Sequence, residues 1–80
     1  MSLDEMNKLV ATRLVLISEA FRTKRKNLNY SQQYMALHLG MSQNAYSKLE
    51  IGYTRMSVFH LFEIADLLDI DLSPYMLIYD

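Results

Sequence analysis

The sequence predicts an all-α fold organised as one domain. Apolar residues recur at intervals of three and four along most of the 80-residue chain, which is the spacing of amphipathic helices. Two glycines and one proline leave few points at which helices are interrupted. The hydrophobic fraction of 51% is typical of a compact protein, and no apolar run approaches the roughly 20 residues that a membrane span needs. We therefore expect a soluble protein without a membrane segment.

The first predicted helix is long, running from Asp4 to about Lys26. One apolar stripe follows its whole length. Such stripes usually face a core, so we favour a core role for the N-terminal turns over a partner-binding extension. The stripe consists of Met6, Val10, Leu14, Ile17 and Phe21, with Leu9 and Leu16 on neighbouring faces.

Residues 31–52 predict two short helices joined by a tight turn. Ala36 is small enough for a close crossing of the two helices. Gly40 lies where the first of them must end, a position that commonly takes a positive φ. Ser42 then provides a side-chain cap for the next helix.

The second short helix of this unit has two chemically different sides. Tyr46 and Leu49, three residues apart, direct an apolar side toward the protein body. The opposite side is polar, although any soluble helix needs a polar outer side, so polarity alone does not assign it a role. The polar residues are Gln43, Asn44, Ser47 and Lys48.

Two further helices are predicted after a loop at residues 52–56. Ser57 is a good N-cap for a fourth helix. Ser73 and Pro74 form a cap followed by proline at the first helical position, which starts a short fifth helix ending near Tyr79. The predicted buried face of the fourth helix consists of Val58, Leu61, Phe62, Ala65 and Leu68.

The register of residues 16–77 resembles the helix-turn-helix family of the phage lambda repressor and Cro, the Xre-type regulators. The segments that carry the resemblance are SQQYMALHLGMSQNAYSKLEIG and, before it, FRTKRKNLNYSQ. The chain departs from the family pattern at Tyr46, Ile51 and Met56. The resemblance implies a five-helix lambda-repressor-like domain that spans residues 1–80, with an extended first helix and its helix-turn-helix at residues 31–52.

The resemblance also implies specific roles for side chains. Amide side chains at the start of the third helix can pair with adenine, and a lysine one turn later can reach guanine or a phosphate. A partly buried ion pair between Arg25 and Glu50 is expected to join the first helix to the third. The implied base-reading residues are Gln43, Asn44, Ser47 and Lys48, and the implied phosphate contacts are Gln32, Ser42, Tyr53, Thr54 and Arg55.

The charge distribution is more informative than the net charge of −1. All eight Lys and Arg residues lie before residue 63 together with four acids, whereas the rest of the chain has five acids and no base. Such a dipole would orient approach to DNA, and the low total charge predicts modest nonspecific affinity.

Other kinds of site find no support in the sequence. The chain has no cysteine, which excludes disulfides and thiolate metal sites and fits a reducing cytoplasm. His38 and His60 have no partner at metal-ligand spacing, and no nucleophile and base stand in a recognisable motif. We expect a cytoplasmic protein that is not an enzyme and needs no cofactor or metal.

The apolar C-terminal segment, Tyr75, Met76, Leu77, Ile78 and Tyr79, is a candidate dimer interface, since aromatic and Met residues are enriched in interface cores. The alternative is that this segment folds back on the first helix over Leu9 and Leu16.

The sequence thus predicts a homodimeric regulator, most simply a repressor, that binds double-stranded DNA. The alternative is a protein-interaction module with the same fold, for which a toxin or RNA polymerase would be the partner. The sequence does not distinguish among a phage repressor, a restriction-modification controller and an antitoxin.

Overall fold

The computed structural model describes residues 1–52 and 55–76, and in these residues all regular structure is helical. The order is α1 (Leu3–Asn27), α2 (Gln32–Leu39), α3 (Gln43–Glu50) and α4 (Val58–Leu68), followed by a 3-10 turn at Ser73–Tyr75. Helix α1 packs on α3 and α4, and α2 packs on both as well. None of the helices in these two ranges has the length and apolar character required to cross a membrane.

Serine side chains begin each of the four helices in the described residues. The Oγ atoms of Ser2, Ser31, Ser42 and Ser57 each accept a hydrogen bond from the backbone N–H three residues later. Each bond satisfies one of the N–H groups that a helix start leaves without a partner. The predicted caps at Ser42 and Ser57 are therefore confirmed.

The turn between α2 and α3 has the predicted left-handed residue. Gly40 has φ +67°, a value that residues with a Cβ rarely adopt. The N–H of Met41 donates to the carbonyl of Ala36 at 3.0 Å, which closes the end of α2. Ala36 is buried, as a close crossing of α2 and α3 requires.

The core lies where the second half of α1 meets α2, α3 and α4. Its largest fully buried side chains are Phe21, Met35, Tyr46, Ile64 and Leu68. Smaller members fill the space between them, and all belong to one cluster. This cluster fixes the orientation of α3 relative to α1.

The prediction that the whole α1 stripe is core is wrong. Ile17 and Phe21 are buried, but Met6, Val10 and Leu14 are exposed, as is Leu16 on the adjacent face. The physical reason is length: α1 has 25 residues and is about 37 Å long, whereas α2, α3 and α4 have 8, 8 and 11 residues and are only about 12 to 17 Å long. The first turns therefore extend beyond the elements that could cover them.

The predicted buried face of α4 is only partly correct. Ala65 and Leu68 are buried and Leu61 is half-buried, but Val58 and Phe62 are exposed, and the buried Ile64 was not predicted. Since α4 has apolar residues on nearly every side, spacing alone cannot select the side that meets the core.

The predicted fifth helix is not confirmed. The structure has a 3-10 turn of three residues, Ser73–Tyr75, where that helix was expected to start. Tyr75 is half-buried and lies beside Leu16 and Ala20 of α1, whereas Met76 is exposed. The remaining members of the predicted dimer interface, Leu77, Ile78 and Tyr79, lie outside the described residues.

Candidate nucleic-acid interface

Helix α3 separates its buried and exposed residues as the sequence predicted. Tyr46 and Leu49 are buried, and Glu50 lies beside them in the interior. The polar residues proposed to read bases share the opposite side of the helix. Gln43, Asn44 and Lys48 are exposed there, and Ser47 is partly exposed at its edge.

The sequence analysis did not identify one exposed residue at the edge of this side. Ala45 lies in the first turn of α3, next to Asn44, and its methyl group is exposed. An apolar residue in a helix with a buried side is naturally assigned to the core. In the helical rotation Ala45 lies between the exposed Lys48 and the buried Leu49, so its position did not decide its exposure.

The predicted ion pair between α1 and α3 is present. The Nε and Nη2 atoms of Arg25 donate to the two carboxylate oxygens of Glu50, each at 2.8 Å. This is the bidentate geometry in which a guanidinium and a carboxylate bind each other most specifically. Both residues are buried, so α3 is attached to α1 by a charged contact shielded from water.

Arg25 also reaches the segment that leads into α2. Its Nη1 atom donates to the backbone carbonyl of Tyr30 at 2.8 Å. One side chain therefore connects α1, the start of α2 and the end of α3. This third contact could not be read from residue types, because every residue offers the same carbonyl.

The protonation equilibria of this network favour the charged pair. Burial raises the pKa of Glu50, but hydrogen bonds from Arg25 and Tyr46 and the charge of Arg25 outweigh it and hold that pKa below its usual value. The hydrogen bond to Glu50 likewise raises the pKa of Arg25. Burial, followed by the hydrogen bond with Glu50, raises the pKa of Tyr46.

Gln32 joins the same network from the start of α2. Its Nε2 atom donates to a carboxylate oxygen of Glu50 at 3.4 Å, and the side chain is partly buried. The sequence predicted a phosphate contact for this residue. The structure adds a contact that holds the side chain against α3.

The other residues predicted to contact phosphate have varied positions. Ser42 is exposed and its Oγ caps α3 by accepting from the N–H of Ala45 at 3.1 Å. Arg55 is exposed and, with Arg22, lines a groove of about 420 Å³ between α1 and the end of α3. Tyr53 and Thr54 lie outside the described residues.

The comparison with known families gives a match over residues 21–74 to a family described as helix-turn-helix. The chain belongs to the helix-turn-helix family of the lambda-repressor and Cro type. Members are DNA-binding regulators as a class, and the match includes all of α2, α3 and α4. It leaves out the N-terminal turns of α1. Neither the curated proteins nor the solved structures include a significant match to the chain.

Proposed function

We propose that this helix-turn-helix protein is a sequence-specific transcriptional regulator that reads operator DNA through α3. The observation that carries the proposal is the division of α3 into an anchored side and an exposed polar side. Tyr46 and Leu49 are buried, and Glu50 is clamped by Arg25 at 2.8 Å, so the helix has a fixed orientation. Rigid support of this kind keeps the exposed side chains in register with base edges.

The exposed residues of α3 suit direct readout in the major groove. The amides of Gln43 and Asn44 can each give and accept a hydrogen bond with adenine, and Lys48 can donate to guanine. Ser47 can pair with either base type. We add Ala45 to the predicted set, because its exposed methyl group can contact the methyl group of thymine.

Phosphate contacts would position the protein on the duplex without reading sequence. We assign them to Gln32, Ser42 and Arg55, together with Tyr53 and Thr54. Gln32 and Ser42 stand at the starts of α2 and α3, and the start of a helix favours an anion. The exposed guanidinium of Arg55 adds a positive charge.

We further propose that two copies bind a pseudo-palindromic operator with half-sites about 34 Å apart, one turn of the DNA helix. The C-terminal segment from Tyr75 to Tyr79 is the proposed dimer interface. Met76 is exposed, which supports this role, whereas Tyr75 lies partly against α1 of its own chain. Repression would follow from occupation of promoter DNA.

A protein-interaction module is the alternative, and two observations favour it. Ile51, at the end of α3, is 55% exposed on a surface where a DNA-binding protein usually presents polar groups. The net charge of −1 also weakens attraction to phosphate. In that case, the same fold would bind a protein partner.

Binding to DNA from upstream of the protein's own gene distinguishes these functions. Fluorescence anisotropy over a series of salt concentrations should show a preference of about a thousandfold over a shuffled duplex and a steep salt dependence. Asn44→Ala should weaken specific binding by about 1 to 3 kcal/mol and relax the preference at one base pair. Lys48→Ala should have a similar cost.

Lys8→Ala is the matched control for the lysine substitution. Lys8 is exposed on α1 outside the family match, so its loss changes the net charge by the same amount without touching α3. If Lys8→Ala and Lys48→Ala weaken binding equally, α3 does not read the operator. Sequence-blind binding by the parent would favour the protein-interaction alternative.

A further inference from the structure

The groove between α1 and the end of α3 has walls that are largely apolar. Its volume of about 420 Å³ falls within the range of roughly 300 to 1,000 Å³ that small-molecule sites have. Val15 and Ile51, on opposite walls, are 56% and 55% exposed, so this apolar surface is not covered by the described part of the chain. The apolar residues of the walls include Leu14, Val15, Leu49, Ile51 and Met56.

The groove accounts for an apolar side chain that DNA binding leaves unexplained. Ile51 follows directly after the helix proposed to read bases, and an isoleucine side chain has no hydrogen bond to give to a phosphate. In the groove, the same side chain lies among other apolar residues, beside Leu49 and Met56. Its exposure therefore suits contact with an apolar ligand.

The charged side chains that line the groove favour an anion. Arg22 and Arg55 are both exposed, and no ion pair in the described part of the chain involves either of them. Two acids also line the groove. Both carboxylate oxygens of Glu50 are bonded to Arg25, which leaves Glu19 as the exposed acid against two exposed bases. The exposed charge is therefore positive by one, which suits a ligand with a single anionic group.

A second groove of similar size has the opposite charge. It has a volume of about 440 Å³ and lies between α4 and the segment that follows, with Phe62 and Ile70 among its apolar residues. Asp66 and Asp71 line it, and no described base does. An anion would be attracted to the first groove and repelled by the second, so the second groove is a control for binding to apolar surface alone.

We propose that the groove between α1 and the end of α3 binds a small carboxylate with an apolar chain, as in a fatty acid. The chain would lie against Val15, Ile51 and Met56, and the carboxylate would lie beside Arg22 and Arg55, since guanidinium groups bind carboxylates well. Arg55 is also a proposed phosphate contact. A consequence, which rests on the proposed function, is that the ligand competes with DNA for this guanidinium and weakens operator binding.

NMR titration of the isotope-labelled protein with decanoate, below its micelle-forming concentration, tests the site without DNA. The backbone amide signals of Val15 and Ile51 should shift and saturate, while those of Phe62 and Ile70 should stay in place. Decylammonium has the same chain and the opposite charge, and it should bind the first groove at least about tenfold more weakly. Equal affinities, equal shifts at both grooves or no saturable shift at the first groove would overturn the proposal.

Substitutions of exposed charges test the position of the carboxylate. Arg22→Gln and Arg55→Gln should each raise the dissociation constant of decanoate about fivefold. Glu19→Gln should lower it, because it removes the acid that opposes the anion. Lys26→Gln is the matched control, since Lys26 is exposed on α1 and lies outside the groove. If Lys26→Gln weakens binding as much as Arg55→Gln, the carboxylate does not lie in this groove.

A pair of apolar substitutions tests the position of the chain. Ile51→Ser should raise the dissociation constant of decanoate about tenfold, because it removes apolar surface from the wall. Leu37→Ser is the matched control, since Leu37 is 77% exposed on α2 and lies outside the groove. Both residues are exposed, so circular dichroism should show an intact helical fold for both variants. Equal affinities of the two variants would exclude Ile51 from the site and overturn the proposal.

Operator binding tests the competition at Arg55. Saturating decanoate should weaken operator binding by the parent about as much as Arg55→Gln does, whereas acetate at the same concentration, which has the charge without the chain, should not. Decanoate that fills the groove and leaves operator binding unchanged would overturn the competition. A parent that binds no operator would contradict the proposed function instead, and the NMR titration would still decide whether the groove binds the carboxylate.

Discussion

The two halves of α1 have the same apolar spacing and opposite environments. In the second half, Ile17 and Phe21 are buried against α3 and α4, and Arg25 is clamped to Glu50. In the first half, Met6 and Val10 occupy the same stripe and are exposed. The comparison shows that spacing defines which face of a helix is apolar, whereas the rest of the chain decides whether that face is covered.

The largest expected difference between the halves is in packing. Phe21→Ala should lower the free energy of unfolding by about 3 to 5 kcal/mol, because it removes a ring that is 1% exposed and leaves a cavity. Val10→Ala, on the same stripe, should change it by no more than about 0.5 kcal/mol in dilute solution. Urea denaturation of both variants measures the two values. A comparable loss for Val10→Ala in dilute protein would mean that the first half is covered within one chain.

The next expected difference concerns buried and exposed carboxylates. Glu50→Gln should lower the free energy of unfolding at neutral pH by about 3 kcal/mol, because it leaves the buried charge of Arg25 without its partner. Glu5→Gln in the first half is the matched control. Glu5 is exposed, and its carboxylate accepts a hydrogen bond from the Ser2 hydroxyl. Its replacement by Gln should therefore lower the free energy of unfolding by no more than about 0.5 kcal/mol.

Acid titration of the parent and of Glu50→Gln separates the effect of the Glu50 charge from the effect of its packing. Because the pKa of Glu50 is lower in the folded protein than its ordinary value of 4.5, the unfolded chain takes up the proton first as the pH falls. The stabilisation is therefore complete above about pH 4.5 and is lost as the pH falls through the folded pKa. The Glu50→Gln variant has no carboxylate at this position and therefore lacks this pH-dependent stabilisation. The difference in free energy of unfolding between parent and variant should narrow as the pH falls. A gap that stays constant would show that the substitution acts through packing alone.

Local features of the fold could be predicted because single residues determine them. Gly40 and Ser42 were identified from the conformations and hydrogen bonds that a helix end requires. The paired charges of Arg25 and Glu50 followed from the family register. The exposed stripe of α1 and the exposed Val58 could not be predicted in this way, since coverage depends on elements distant in the sequence.

The candidate interface shows the same limit on prediction. The three-residue spacing of Tyr46 and Leu49 predicted the buried side of α3 and therefore the exposed positions of Asn44 and Lys48. Ala45 was missed because its side chain is apolar. The contact of Gln32 with Glu50 was missed because the sequence does not show that two polar residues 18 positions apart come together.

The smallest expected difference lies in the helix caps, where two nearly identical hydrogen bonds have different surroundings. Ser42 accepts from Ala45 at 3.1 Å at the start of the packed helix α3, and Ser2 accepts from Glu5 at 3.2 Å at the start of α1. Ser42→Ala should cost about 1 kcal/mol in urea denaturation. Ser2→Ala should cost only a few tenths, because residues 1–8 are all exposed and that turn can fray without losing a packing contact. Equal costs for Ser2→Ala and Ser42→Ala would mean that the first turn of α1 is held in place within a single molecule, and the contrast between the halves of α1 would be one of exposure alone.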